Sequence, residues 1–331
     1  MDINELISPI RLETYETVLK VKTDEKKLAA YYWNKAITAS LFPAMQCLEI
    51  SFRNAINEAV KNNPPFSIPC FTDLSTSKVM AVDDWIECLV SYISRKRIKK
   101  LGSRNKKKWL KPNGDRTNKT FWEEDQIERA KRKLQKYGRA PTSDRLISEL
   151  MLGFWTNLLS QQFEDQTTGT LLWPNLTPYV FSNLPENKTI DDIRLILDRL
   201  QDFRNRFSHH EPVFKFYYEK SDGKPNYLTP VFGRSASLSI LEKTYADILE
   251  LIRWISEERH KSFIDAGLSR QFYRLISDDG FYSYVDPEKI SKVIKYSSSR
   301  REHRKLLAMI DSGDAFRIDK KSKIHFVFGP M

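Results

Sequence analysis

The chain has few cysteines, few histidines and no long apolar run, and each scarcity removes a class of protein. Cys47, Cys70 and Cys88 are odd in number and form no C-x-x-C pair, which argues against a disulfide framework or a zinc ribbon and fits a reducing cytoplasm. No segment approaches the roughly 18 consecutive apolar residues of a membrane helix, and the N-terminal MDINELISPIRLETYETVLK carries early acids with no apolar leader core. A soluble cytoplasmic protein is expected. The sequence also lacks a G-x-x-x-x-G-K-[ST] loop, a G-x-G-x-x-G fingerprint and a G-x-S-x-G elbow, so nucleotide hydrolysis, dinucleotide redox chemistry and serine hydrolysis have no support. There is no internal repeat and no low-complexity tract.

What is present is apolar mass and basic charge. At 331 residues and 40% hydrophobic, with seven Trp, fourteen Tyr and nineteen Phe, the chain can build a real core; its length admits two domains or one large helical domain with insertions. Net charge is +11, and it is unevenly placed. Between Arg95 and Arg145 nineteen Lys or Arg face six Asp or Glu, a local +13 that leaves the remainder slightly acidic. Such asymmetry points to nucleic acid or an anionic surface.

Helical periodicity dominates. Asp24 to about Ser40 reads as a helix ended by Pro43, followed by a second from Ala44 to Asn62. On the flank of the latter, Glu49 and Arg53 have the spacing of a surface ion pair worth a few tenths of a kcal/mol. Asp73 to Leu101 and Trp122 to Tyr137 read as helices around a basic loop, 102–120. Lys106, Lys107 and Lys108, with Arg97 and Arg132, suit phosphate contacts, and the interleaved Trp109 and Trp122 suit base stacking; a solvated charged face is the alternative. A further helix, capped by Thr142 or Ser143, is expected through Leu159. Leu171 to Pro185 is then an apolar linker in which Trp173, Tyr179 and Phe181 pack. A small hairpin is expected within 213–232, a helix from Leu238 to about Phe263, and one strand from Ile324 to Phe328.

The chemistry concentrates in Asp202-Phe203-Arg204-Asn205-Arg206-Phe207-Ser208-His209-His210-Glu211-Pro212, which holds two of only five histidines. Ile193, Ile196, Leu197, Leu200, Phe203 and Phe207 form one stripe at about 100° per residue, so Asp191 to about His210 reads as an amphipathic helix with Thr189 as N-cap. Arg204 falls near the middle of that stripe, where a cation must be paired, bridged or used. Pro212 pushes Glu211 out of α geometry and stops the helix near the histidines, where the carbonyl end of the dipole favours a cation.

One imidazole and one guanidinium suffice for RNA cleavage through the ribose 2′-hydroxyl, because the substrate carries its own nucleophile. Arg204 and His209 are, however, about 140° apart around a helix. They converge only if the last turn is distorted or if a second copy supplies one partner across a two-fold interface. Asn205 is placed at i,i+4 to orient His209. Adjacent histidines on a helix diverge by about 100°, and neither has a ligand at i+4, so no metal site is expected. A structural histidine pair closing a helix remains the other reading.

The segment Arg204-Asn205-Arg206-Phe207-Ser208-His209-His210-Glu211-Pro212 resembles the R-N-x-x-x-H signature of HEPN-domain proteins, specifically the Abi-like (abortive infection) family with its RN…HHEP form. Leu48-Glu49-Ile50-Ser51-Phe52-Arg53-Asn54-Ala55-Ile56 is similar to that family's E-x-x-x-R-N helix. Gly153-Phe154-Trp155-Thr156-Asn157-Leu158-Leu159, followed by Leu172-Trp173-Pro174, resembles its F-W-x-x-L stretch and apolar linker. The resemblance runs from about residue 25 to residue 260 and keeps the family's order.

It implies an all-α, HEPN-like bundle over 1–265, with the basic segment of about 95–140 as an insertion, and 266–331 as a C-terminal extension. It further implies a homodimer bringing two R-x₄-H motifs to one cleft, and metal-independent endoribonuclease activity in a toxin or phage-defence setting, with no cofactor. Arg204 and His209 would then be the catalytic pair, Asn205 their support and His210 a second contributor, while Glu49 and Arg53 would line or brace the site. RNA would be the substrate, and an antitoxin (protein or small RNA) or a phage component the regulating partner. The alternative is a catalytically silent RNA-binding, regulatory or sensor module.

Overall fold

The computed structural model describes residues 7–63, 84–165, 171–221 and 225–330. Helices dominate: α1 (Pro9–Leu19), α2 (Asp24–Asn62), α3 (Trp85–Lys100), α4 (Trp122–Lys136), α5 (Ser143–Glu149), α6 (Leu152–Asn157), α7 (Ile190–Ser208), α8 (Arg234–Ile255), α9 (Glu257–Asp265), α10 (Arg270–Ile276), α11 (Asp278–Val285) and α12 (Arg300–Ser312). Two small sheets join them. β1 (Tyr217–Glu219) and β2 (Pro225–Pro230) form an antiparallel pair within the expected 213–232 hairpin. β3 (Val293–Lys295), β4 (Phe316–Lys320) and β5 (Lys323–Phe328) form a mixed sheet in that order, β3 parallel and β5 antiparallel to β4. The tail thus carries a three-stranded sheet where a single strand was expected. No helix among the described residues is long and apolar enough to cross a membrane.

Pro43 does not end a helix; α2 runs through it. The reason lies in the stripe. Ala30, Trp33, Ile37, Leu41, Ala44, Leu48, Phe52 and Ile56 recur at helical spacing on both sides of the proline and are all fully buried, so interrupting the helix would rotate one half of that face out of its core. A mid-helix proline costs about 3 kcal/mol through a lost N–H donor and a ring clash, less than the burial it would forfeit.

The single helix expected from Thr142 through Leu159 is two. Leu150 and Met151 take extended backbone (ψ 127° and 162°) between α5 and α6. The groups freed by the break are met by side chains. The Leu152 N–H donates to Glu49 Oε1 (3.1 Å), Arg53 Nη1 donates to the Ser148 carbonyl (3.2 Å) and Trp155 Nε1 to the Leu150 carbonyl (3.2 Å). The helix expected from Leu238 to Phe263 likewise divides, at Ser256, into α8 and α9. Trp173 and Phe181 are buried as expected, whereas Tyr179 is exposed. Cys47 and Cys88 are free and buried; Cys70, with residues 73–83 of the expected third helix, lies outside the described residues.

Contacts divide the described chain into two compact units. One takes its residues from Met1–Leu48, Asp202–Arg253 and Glu257–Met331, the other from Glu49–Gln201 and Trp254–Ser256. In the first unit Trp33 is fully buried, sits edge-on to Phe281 (4.9 Å), lies near Phe214 (5.7 Å) and donates its indole N–H to the Leu275 carbonyl (2.9 Å). In the second, Trp85 is buried against Trp155 (6.5 Å) and donates to Asn57 Oδ1 (3.1 Å).

Replacing Pro43 by alanine restores a helical N–H and removes the ring. Pro43→Ala is therefore expected to stabilise the chain by roughly 1–3 kcal/mol, less the entropy proline removes from the unfolded state. A calorimetric or fluorescence melt should show a higher Tm, and a lower one would mean that Pro43 packing outweighs its backbone cost.

Candidate functional site

α7 begins as its sequence predicts: the Thr189 backbone N–H donates to Asp192 Oδ2 (2.8 Å) and the Thr189 hydroxyl donates to the same atom (3.0 Å), so the acid three residues into the helix reaches back to its cap. Its end is more specific. α7 stops at Ser208, and His210 adopts left-handed backbone with φ 56°. The Glu211 N–H donates to the Arg206 carbonyl (2.9 Å) and the His210 N–H to the Phe207 carbonyl (3.2 Å). That pair of bonds is a Schellman closure, usually built on glycine. Here a histidine takes the strained position, at a cost of about 1 kcal/mol. The His209 N–H still bonds the Asn205 carbonyl (3.0 Å), so His209 is the last residue in helical register and His210 the first out of it.

The chain after the motif is held tightly. Asn34 Oδ1 accepts the buried Val213 N–H (3.0 Å), and Phe214 inserts between Tyr15 (5.3 Å) and Trp33 (5.7 Å). Arg206 donates to the Lys215 carbonyl and lies over the Phe216 ring at 5.4 Å; burial pulls its pKa down from the usual arginine value. Phe203 meets Phe207 at 4.8 Å and Phe216 at 6.2 Å. Sequence reasoning missed one contributor: Arg11, on α1, whose guanidinium reaches the carbonyls of His209 (3.5 Å) and His210 (3.4 Å). These are long bonds, but the cation sits where the helix dipole favours it.

The two arginines of the motif therefore differ. Arg206 is built into the turn, whereas Arg204, half-buried on the apolar stripe, makes no hydrogen bond or ion pair among the described residues. Asn205 is half-buried, and the imidazoles of His209 and His210 are exposed. The arrangement offers one uncommitted guanidinium and two solvent-facing imidazoles on a rigidly anchored helix end, enough to bind a phosphate and move a proton.

Glu49 and Arg53 make no pair with each other; each turns to the α5–α6 break described above, and the Arg53 Nε is buried without a hydrogen-bond partner among the described residues. They brace that junction in the second unit.

In the basic segment the five expected RNA-contacting residues separate. Arg97 forms a bidentate pair with the buried Glu123 (2.8 and 2.6 Å) and lies over Phe121 at 4.9 Å. Burial alone would raise the Glu123 pKa, but hydrogen bonds from Arg97 and Asn157 outweigh it and hold the carboxyl below its ordinary value. Arg97 is thus a half-buried cation committed to a buried carboxylate rather than a free phosphate ligand. Arg132 is exposed with its Nε bonded to the Glu128 carbonyl (3.2 Å), Lys107 and Lys108 are exposed, and Lys106 is half-buried. Trp109 is stacked on Phe121 (4.1 Å, 13°), which occupies one of its faces, while Trp122 stays 48% exposed.

Two outcomes follow. His210→Gly should stabilise the chain by about 1 kcal/mol by removing left-handed strain, read as a higher urea midpoint with unchanged m; a lower midpoint would show that the imidazole itself holds the turn. Neutralising Lys106, Lys107 and Lys108 to glutamine should flatten the dependence of RNA affinity on log salt by up to about 0.7 per lost phosphate contact, and an unchanged slope would make the run merely solvated. No protein-family model, characterised protein or solved structure matches the chain.

Proposed function

We propose that the chain is a metal-independent endoribonuclease of the HEPN type, related to the Abi-like proteins and acting as a toxin or phage-defence effector. The observation that carries this is the pairing of an uncommitted, half-buried Arg204 with exposed His209 at the end of one helix. Burying a cation on an apolar stripe without a partner is costly and seldom kept for stability alone. A ligand phosphate would supply the missing partner.

The chemistry needs little else. His209 takes the proton from a ribose 2′-hydroxyl, the 2′-oxygen attacks the adjacent phosphorus, and the bond to the 5′-oxygen breaks as that oxygen gains a proton, leaving a 2′,3′-cyclic phosphate and a 5′-hydroxyl. A well-placed imidazole contributes about 10²–10⁴-fold as base or acid. Arg204 stabilises charge on the phosphoryl oxygens, Asn205 supports the imidazole, and His210, exposed beside His209, would be the second proton-transfer group. The α7 register supports a homodimer: Arg204 and His209 diverge by about 140° on one helix, so a two-fold partner completes each site. The exposed Lys107 and Lys108, with the half-buried Lys106 beside them, would concentrate RNA on the protein through phosphate contacts. An antitoxin or a phage-derived trigger would act by covering or releasing this helix end.

Purified protein incubated with RNA in excess EDTA tests the reading. Wild type should yield cyclic-phosphate ends, and Arg204→Ala and His209→Ala should each lose at least about 10²-fold in rate while remaining dimeric. Mixing the two inactive variants should restore cleavage, because a mixed dimer keeps one site with both groups. Equal cleavage by wild type and His209→Ala would sink the proposal. RNA binding with no cleavage, even with infected-cell extract added, would instead favour a silent RNA-binding or sensor module.

A further inference from the structure

The C-terminal sheet leaves part of one face uncovered. Register places Ile294, Ile318 and Phe326 side by side, and Phe316 beside Phe328. Leu306 and Met309 of α12 pack over Ile294, Phe316 and Ile318. Past that cover the same face continues with Tyr296, two residues after Ile294, and with Phe326. These rings are 59% and 51% exposed, large values for aromatic side chains fixed on a sheet. Tyr296 is anchored by its N–H to the Asp319 carbonyl (2.8 Å). Lys320 Nζ lies 4.7 Å from its ring centre, and His325 bridges the two aromatics at 5.7 Å from Tyr296 and 4.4 Å from Phe326.

Charge surrounds the same end. From Val293 to Phe328 nine Lys or Arg face four Asp or Glu, a net +5. The acids are largely neutralised: Asp314 pairs with Lys292 (2.5 Å), Asp319 with Arg317 (3.3 Å) and Glu302 with Lys305 (3.0 Å). Arg300, Arg304, Lys321 and Lys323 are exposed and carry no ion pair among the described residues. Directly after Tyr296, Ser297, Ser298, Arg300, His303 and Arg304 line a cavity of about 250 Å³, roomy enough for a phosphate group.

We propose that this sheet end binds single-stranded RNA, with bases stacked on Tyr296 and Phe326 and the backbone held by Arg300, Arg304 and Lys320. The alternation of exposed rings with unpaired cations is what a strand of bases on a phosphate backbone complements. An acidic protein surface would meet the charges but leave two aromatic faces bare. Duplex RNA offers phosphates without open base faces. The proposal rests on RNA being the ligand of this chain and adds a second contact region, in the C-terminal segment, with a preference for unpaired strand.

The test uses the full chain and a short fluorescein-labelled 2′-O-methyl oligouridylate, which lacks the attacking hydroxyl and so reports binding without cleavage. Tyr296→Ala and Phe326→Ala should each weaken binding at least about fivefold, the lower bound for losing one stacked base. Tyr296→Trp should keep or improve it, and Arg300→Gln with Arg304→Gln should reduce its salt dependence. Each ring is only about half covered, so the melting curve should move by no more than a few degrees. Unchanged affinity in the alanine variants, equal loss in Tyr296→Trp, or equal competition by duplex and single strand would each overturn the platform. The outcomes separate from the nuclease reading: loss of binding in Tyr296→Ala from a protein that never cleaves RNA removes the nuclease alone, and cleavage that depends on His209 with unaltered binding in Tyr296→Ala removes the platform alone.

Discussion

The buried stripe of α2 is the constraint on which the rest depends. Because Ala30 through Ile56 are fully buried along one helical line, the helix must continue through Pro43, and its flanks become fixed rails for polar contacts. In one unit, Trp33 meets the Leu275 carbonyl and Asn34 the Val213 N–H; in the other, Glu49, Arg53 and Asn57 meet Leu152, Ser148 and Trp85. The contacts of Trp33, Asn34, Glu49 and Arg53 satisfy backbone groups that a helix end, a turn or a chain break has released, that of Asn57 satisfies a buried indole N–H, and buried groups left unsatisfied would cost about 1–3 kcal/mol apiece. In the first unit α2 thereby anchors the segment that follows the histidines, and in the second it braces the α5–α6 break.

That second anchorage explains why the helix end of α7 can carry strain. Val213 and Phe214 are fully buried, so the turn between Ser208 and Pro212 has both ends pinned, and His210 is held at positive φ by the packing on either side of it. Arg204 and Arg206 are two residues apart, about 200° around the helix, and this separation divides their work. One guanidinium turns toward Phe216 and the Lys215 carbonyl and becomes structural. The other is left on the apolar stripe with no partner among the described residues.

Much of this was legible in the sequence, and the part that was not has definite physical causes. The α7 stripe, its Thr189 cap and its stop before Pro212 all follow from local rules, as do the 217–230 hairpin and the strand at 323–328. Pro43 misled because its backbone penalty is local while the burial that overrides it is spread over many residues. The break at Leu150–Met151 was invisible because Leu150, Met151 and Leu152 are themselves good helix formers; the caps that stabilise it come from Glu49 and Arg53, about a hundred residues earlier. Arg11 was missed for the same reason, since its contact with His209 and His210 spans nearly the whole first two-thirds of the chain.

Charge was the least faithfully read property, because a count of Lys and Arg does not separate free cations from committed ones. In the segment of 95–145, Arg97, Arg116, Lys131 and Lys133 are each paired with a carboxylate, Glu123, Glu124, Glu87 and Glu149 respectively, and two of those acids lie outside the dense basic run or at its far edge. Such pairs fix α3 and α4 against their neighbours and withdraw charge from solution. The tail, with a smaller excess by count, keeps Arg300, Arg304, Lys321 and Lys323 unpaired beside two exposed rings. What a polyanion meets is the uncommitted charge, together with the surface that charge surrounds. On that measure the modest +5 of the C-terminal sheet competes with the larger excess of the central segment, because fewer of its cations are committed to carboxylates.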